Sequence, residues 1–490
     1  MDPHRYISEK PYPLYIGGEF VSAVSEKTFS LVNPATGEAF ASAALGGRAD
    51  MERAMTAARE AFDSGPWAAM TGRDRSSLLL KTTDILEKRA EEFACAETLD
   101  CGKIYQSVLH FELPNSLDGI RYHAAKARCL EGKTVPLGSG KDCFNYVTWH
   151  PRGVVGEILP WNGPLMMGCQ KISAILAAGN TVIVKPASWA SLSMLKMAEV
   201  FHQAGFPPGV VNVVTGSGQE TGSALMESPL VDMVSLTGGT ETGKKLLAGS
   251  VKTVKDLALE LGGKSPNIVF HDADMEKAVP WAARAFTLNS GQVCVSGTRL
   301  LLHREIYDVF LEKLKIYCET SFRPGDGFHP EVNYSSLISR EHAESVWRHI
   351  EAGKKEGARL VCGGEPYADP ALAKGSFVPP TIFADVSPDM SIYREEIFGP
   401  VLCVTPFNSE EEALTLANGT AYGLAGGVFT SHIGRAHRVA GRLKAGQVYI
   451  NSYFSRGMVE SPGTGWKESG IGGAGIYKYM LPKTVFTDLS

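Results

Sequence analysis

The spacing of apolar positions changes twice along the chain. Asp50 to Phe62 and Arg75 to Leu99 place apolar residues three and four apart, which predicts helices after a strand-rich opening. From residue 153, four short β-branched runs follow: GVVGEILPW, NTVIVKP, GVVNVVTG and MVSLTG. Helical spacing separates them, near 165–178, 189–204 and 219–227. Strands apolar throughout, alternating with helices, predict a parallel sheet covered on both faces. A second alternating region starts near Lys264 and runs past residue 440, including NSGQVCVSG, VLCVTPF and GQVYIN. Residues 126–150 and 475–490 read as strands outside both sheets, suited to pairing with another subunit.

Parallel sheets bind ligands at the carboxyl ends of their strands. That directs attention to Trp161-Asn162, Lys185-Pro186, Gly216 and Gly238. At 490 residues the chain exceeds one hydrophobic core, so two or three domains are expected. Its charges are mixed to a net −5, with no basic block suited to nucleic acid or an anionic membrane. The opening lacks a signal-peptide core, and no apolar run is long enough to span a bilayer. Nine scattered cysteines with no CxxC argue against a disulfide framework and for a reducing, cytoplasmic setting. No HExxH or close Cys/His cluster suggests a metal.

Among the cysteines, Cys294 stands apart in NSGQVCVSG, with Gly291 and Gly297 on either side. Glycine permits close backbone approach, the setting of a thiol meant to be reached. Free cysteine is also among the most buried residue types, so the segment alone leaves nucleophile and core residue both open. Gly238 to Lys245 nearly matches a P-loop, but Lys245 replaces the hydroxyl that would hold Mg²⁺. Ala258 to Ser265 ends in GKS but begins with alanine, so an ATPase is disfavoured. What survives is a glycine turn opening a helix, which suits a pyrophosphate or serves only as a strand-to-helix turn.

Together these segments resemble the aldehyde dehydrogenase superfamily over nearly the whole chain. The matching residues are YIGGEF and VNPATGEAF near the start, PWN at 160–162, VIVKPAS at 182–188, LTGGTETG at 236–243, LELGGKSPN at 259–267, GQVC at 291–294, EEIFGP at 395–400 and GWKESGIG at 465–472. The resemblance implies an α/β fold in three parts. A Rossmann-like dinucleotide-binding domain takes 1–125 and 151–262, a second α/β catalytic domain takes 263–474, and a small β oligomerisation segment takes 126–150 and 475–490. It implies NAD(P)-dependent oxidation of an aldehyde, with Cys294 as nucleophile, Glu260 as general base and Asn162 as oxyanion donor. The cofactor residues it implies are Trp161, Lys185, Ser188, Gly238, Gly239, Gly243, Glu396 and Phe398. It also implies a homodimer or homotetramer.

The chemistry is consistent with those residue types. Thiolate attack makes the aldehyde carbon tetrahedral, hydride can then leave, and an activated water hydrolyses the resulting thioester. The amide of Asn162 and the backbone N–H of Cys294 would hold the oxyanion. Each residue has a plainer alternative: Glu260 an ion-paired strand end, Asn162 a turn residue, Glu396 a solvated charge. A coenzyme A-acylating enzyme usually lacks the glutamate base, and a non-catalytic relative has no reason to retain all three groups.

Several positions depart from the family. Ser188 replaces a glutamate common in NAD-preferring members, and Gly239 replaces a serine; NADP is therefore expected to be tolerated or preferred. Gly163, Gln170, Leu288, Asn115 and Gly463 all reduce apolar bulk along the substrate tunnel. Val293 and Val295 flank the cysteine there, and Arg456 is placed to meet an acidic group. Tyr453, Phe454 or Met458 could refill the space. The expected substrate is a bulky or ring-bearing aldehyde.

Overall fold

The computed structural model describes residues 2–135, 142–454, 459–461, 463–473 and 475–490. The first sheet has eight strands. In spatial order they are Glu19–Val21, Leu14–Ile16, Val211–Val213, Thr181–Lys185, Val154–Ile158, Met233–Thr237, Asp256–Glu260 and Gly470–Ile471. The five central strands pair in parallel. They are apolar throughout because helices cover both faces: Val155, Val182, Ile183, Val184 and Val234 are fully buried. From Val154–Ile158 the chain moves outward in one direction, then returns to build the other half from Met233. The strand order therefore reverses beside Ile158, and a crevice opens there at the carboxyl edge.

The second sheet runs Arg359–Cys362, Thr381–Ala384, Val401–Phe407, Arg299–His303, Pro266–Val269, Ala425–Phe429 and Gln447–Ile450. Cys294 precedes the strand Arg299–His303, so it lies at this sheet's amino edge. That edge meets the carboxyl edge of the first sheet: Asn162 Nδ2 donates to the Gln292 carbonyl at 2.8 Å. Carboxyl ends thus locate only half of the site.

The third sheet has three antiparallel strands, Met480–Asp488, Cys143–Pro151 and Lys133–Thr134. Residues 126 and 127 end the helix Leu113–Ala127 instead, and 136–141 lie outside the described residues. The tail also crosses the expected division at 474: Gly470–Ile471 extends the first sheet, and Ile476, Tyr479 and Met480 pack into its core. Asn180 secures this return, donating from Nδ2 to the Tyr479 carbonyl at 3.0 Å while its Oδ1 accepts the Gly153 N–H. The helix expected over Arg75–Leu99 is two, Gly72–Lys88 and Ala90–Cys101. The break falls at Arg89, whose guanidinium reaches Glu92 at 2.8 Å and Glu199 at 2.6 Å. Among the described residues no helix is long and apolar enough to cross a membrane.

Candidate active site

The segment carrying the cysteine turns through an uncommon backbone. Asn289, Ser290 and Gly291 have φ of 51°, 53° and 77°, a left-handed run that costs side-chain-bearing residues about 1 kcal/mol or more each. Neighbours hold it in place. Ser290 Oγ bonds the Ser335 carbonyl, Gln292 Oε1 accepts the Ile338 N–H at 2.8 Å, and Gln292 Nε2 donates to the Asn289 carbonyl at 3.0 Å. A Cβ at Gly291 would collide with the Gly399 carbonyl. The turn carries the Gln292 carbonyl onto Asn162, and Cys294 follows, half-buried. Burial pushes its thiol up to about 12, with Glu396 and Glu260 adding to the rise. The N–H groups of Val295 and Cys294 work the other way.

Glu260 ends its strand between Thr237 on one side and Gly470 on the other. Burial raises its pKa, opposed by the charges of Lys478 and Lys171 and by the Gly465 N–H. Its main-chain carbonyl accepts the Gly238 N–H at 3.0 Å, tying this strand end to the glycine turn. Two residues on, Gly262 and Gly263 carry the chain toward the second sheet. A Cβ at Gly262 would collide with the Glu396 carboxylate, and one at Gly263 with the Cys294 carbonyl. Gly263 N–H instead donates to Glu396 Oε1 at 2.8 Å. Burial lifts Glu396 to about 7, so it is no solvated surface charge.

The crevice residues fit a dinucleotide. Helix Thr240–Ser250 opens at Gly239 with no side-chain cap, and a Cβ at Gly239 would meet nothing within 4 Å. Thr237 Oγ1, beside it, is buried without a partner. Lys185 is buried with only the Pro186 carbonyl on its Nζ, at 3.0 Å, and desolvation lowers it to about 8. Ser188 is exposed and donates to the Gly216 carbonyl at 3.1 Å. Trp161 meets Phe398 at 5.1 Å between ring centroids, and His342 at 5.1 Å. His342, which donates to the Phe398 carbonyl at 2.8 Å, carried no signal in its own segment. Gly243 is different: it is buried, and a Cβ there would press on Leu261 at 2.6 Å. It permits close packing of its helix on Leu261. Lys264, of the GKS triplet, is buried with its Nζ unpartnered, consistent with a structural lysine.

On the substrate side the outcome is mixed. Gly163 leaves room, since a Cβ there would meet only Met167 Cγ, at 3.6 Å. Val293 and Phe454 are half-buried and, with Trp281, pack on the same apolar cluster as Cys294. Leu288 is half-buried in the turn. Tyr453 and Val295 form the enclosed part of that cluster. Tyr453 is fully buried, its hydroxyl bonded to the Val295 carbonyl at 2.9 Å, and Val295 is buried with it. Tyr453 fills the space over Gly297 and Gly427, so it cannot also refill the tunnel. Gly463 is covered by the side chain of Gln447, and Gln170 is packed on Gly119. The amide of Asn115 folds back on the Phe111 carbonyl at 2.6 Å. Arg456, Met458 and Pro462 lie outside the described residues. At the opposite edge of the second sheet, His271, His303 and Glu305 bring ligand-type atoms within 4.8 Å of one another, the one such group among the described residues.

A thiol and half-buried carboxyls beside a dinucleotide-type turn, where the edges of the two large sheets meet, define an NAD(P)-dependent aldehyde dehydrogenase. The model of the aldehyde dehydrogenase family matches residues 20–485, and the chain belongs to that family. The Bacillus subtilis protein DhaS is 42% identical over 460 residues, covering 94% of this chain and 91% of that protein. The NAD+ complex of an aldehyde dehydrogenase from Bacillus cereus superposes with a TM-score of 0.96 at 41% identity, covering 100% of this chain and 99% of that one. Betaine aldehyde dehydrogenase from Staphylococcus aureus, solved with NAD+, gives 0.97 at 35% identity, covering 100% and 97%. The class oxidises aldehydes through a cysteine thioester that is hydrolysed with the help of a glutamate.

The thiol's environment has a measurable consequence. In the protein without cofactor, alkylation of Cys294 by iodoacetamide should rise about tenfold per pH unit from neutrality past pH 10, because only the thiolate reacts. Glu396→Gln removes a negative neighbour and should move that profile to lower pH. A plateau below the ordinary thiol range, or a shift to higher pH in the variant, would contradict the assigned environment.

Proposed function

We propose that Cys294 is the nucleophile, Glu260 the general base and Asn162 the oxyanion donor of a hydrolytic oxidation acting on a bulky or ring-bearing aldehyde. The observation that supports this is the braced left-handed turn, which carries the Gln292 carbonyl onto the Asn162 amide two residues before Cys294, with the Glu260 charge felt at the thiol. In that arrangement Cys294 adds to the aldehyde carbon. Its proton must leave, and Glu260, with a raised pKa, is suited to receive it; once that proton has passed on to solvent, the carboxylate is again free to take one from the hydrolytic water. Asn162 contributes an amide N–H to the oxyanion; losing such a donor typically costs about 10²–10³ in rate. The nicotinamide, when bound, accepts the hydride. Glu396 and Phe398 are suited to its ribose side, and Lys185 with the turn at Gly238 and Gly239 to the adenosine and phosphate side.

The room at Gly163 and the half-buried aromatics Trp281 and Phe454 support the substrate reading. A small aldehyde would leave such surface unused, at about 25 cal/mol per Å² of apolar area. kcat/KM should therefore be much higher for an aromatic aldehyde than for acetaldehyde, and Gly163→Phe should hurt the aromatic substrate most. Acetaldehyde as the best substrate of a panel would refute this.

NAD+ is the proposed cofactor, since the similar Bacillus cereus and Staphylococcus aureus enzymes were solved with it. Ser188 supports tolerance of NADP+, because no carboxylate stands there to repel a 2′-phosphate and Lys185 is close in the chain. Ser188→Glu should shift the kcat/KM ratio toward NAD+ by about 1–3 kcal/mol, or roughly 5- to 150-fold. A wild-type protein inert with NADP+ would defeat this reading.

A homodimer or homotetramer is proposed through the third sheet. Its outer strand Met480–Asp488 leaves one edge unpaired and exposes Phe486 by 73%. Such an edge needs covering. Light scattering at micromolar concentration should give a multiple of the chain mass; a monomer would overturn the proposal.

A further inference from the structure

A cavity of about 520 Å³ opens at the amino edge of the first sheet, the edge opposite the one Cys294 faces. Ala178 and Gly179, just before the strand Thr181–Lys185, form part of its floor, and Pro151 and Met480 of the third sheet form one wall. Its lining holds three arginines, Arg73, Arg75 and Arg128, and no carboxylate.

Two glycines assemble this cluster. A Cβ at Gly72 would collide with the Ala127 carbonyl, so only glycine lets the start of helix Gly72–Lys88 press on the end of Leu113–Ala127. That contact brings Arg73 and Arg128 to one mouth. At Gly179, with φ of 96°, a Cβ would lie 3.5 Å from Arg75 Nη1. Arg75 is held by carbonyls alone, from Nη1 to Met70 at 2.8 Å and from Nε to Ala177 at 3.3 Å. Asp74, between two of the arginines in sequence, turns its carboxylate back to cap its own helix, accepting the Thr71 N–H at 2.9 Å and hydroxyl at 2.7 Å. Among the described residues no ion pair takes up Arg73, Arg75 or Arg128. Asp74 is felt electrostatically at Arg73 and Arg75, yet it is not part of the lining. Three guanidiniums lining one cavity that holds no carboxylate are suited to an anion, and their planar forks match phosphate.

The walls add a second requirement. Trp149 is half-buried, its ring 4.9 Å from that of Tyr477, and offers an aromatic surface at the cavity rim. Trp67 is buried and fixed by its Nε1, which donates to the Gly179 carbonyl at 3.0 Å. A cavity of several hundred Å³ holds a small organic ligand, more than an inorganic ion needs. We propose that this cavity binds a nucleoside monophosphate, its phosphate on Arg73, Arg75 and Arg128 and its base against Trp149. Bound there, it would link the helix Gly72–Lys88 to the strand Cys143–Pro151 at the root of the third sheet.

The test is calorimetric titration of the full chain with AMP in saturating NAD+, which occupies the catalytic crevice. One AMP per chain is expected, and Arg73→Ala with Arg128→Ala should weaken it by at least about tenfold. Both side chains are exposed and far from Cys294, so aldehyde oxidation should stay within about twofold and show that the variant folds. Inorganic phosphate and adenosine should each bind much more weakly than AMP. Absence of AMP binding at about 1 mM, binding unchanged in the double variant, displacement of AMP by NAD+, or phosphate or adenosine binding as tightly as AMP would each overturn the proposal.

Discussion

Gly262 and Gly263 are where the two large sheets share one backbone, and the site depends on how closely they let the chain pass. Glu260 ends the first sheet and Pro266 begins a strand of the second. Between them the backbone runs against the Glu396 carboxylate on one side and the Cys294 carbonyl on the other, with no volume for a Cβ at either position. Base, thiol segment and the carboxylate beside the cofactor crevice thus come from three distant stretches of sequence. One stretch of bare main chain sets their separation. Ser469 reinforces the crossing from the tail, donating from its hydroxyl to the Gly262 carbonyl at 2.7 Å and accepting the Gly423 N–H.

This closeness has an electrostatic cost that the chemistry uses. Two carboxyls and a thiol lie in one poorly hydrated region, and each raises the proton affinity of the thiol. Such surroundings favour the protonated thiol over the thiolate. Glu260, a nearby carboxyl of raised proton affinity, is the proposed acceptor of that proton. Lys171 and Lys478, partly buried in the first domain and the returning tail, keep the proton affinity of Glu260 from rising further. The tail is thus part of the site's electrostatics as well as of the third sheet.

The left-handed turn at 289–291 shows how strain is maintained. Two of its residues, Asn289 and Ser290, carry ordinary polar side chains in a costly conformation. Hydrogen bonds to the Ser335 and Ser336 carbonyls and from the Ile338 N–H, together with the tight contact of Gly291 on Gly399, over-determine it. The result is a carbonyl, that of Gln292, placed to hold the Asn162 amide in position.

Local sequence carried much of this. Near-continuous apolar strands demand a sheet buried on both faces, and periodicity located the alternating elements of both large sheets, because a residue's burial follows from its place in a strand or helix. The glycine-framed cysteine, the strand-end glutamate and the PWN asparagine were legible as candidates because their residue types are costly where they sit. Which side chains face a cavity was not legible. Tyr453 and Val295 turned inward, Gly243 packed on a leucine, and Gln447 covered Gly463, since orientation there depends on turns and on neighbours far away in sequence. His342 and the arginine cluster at Gly72 had no local signal, for they acquire meaning only from what folds against them. Sequence alone determined which chemistry the chain can perform, because that chemistry resides in residue types. Only the tertiary structure decided which of those residues meet, because their meeting rests on glycine contacts between segments that local patterning cannot relate.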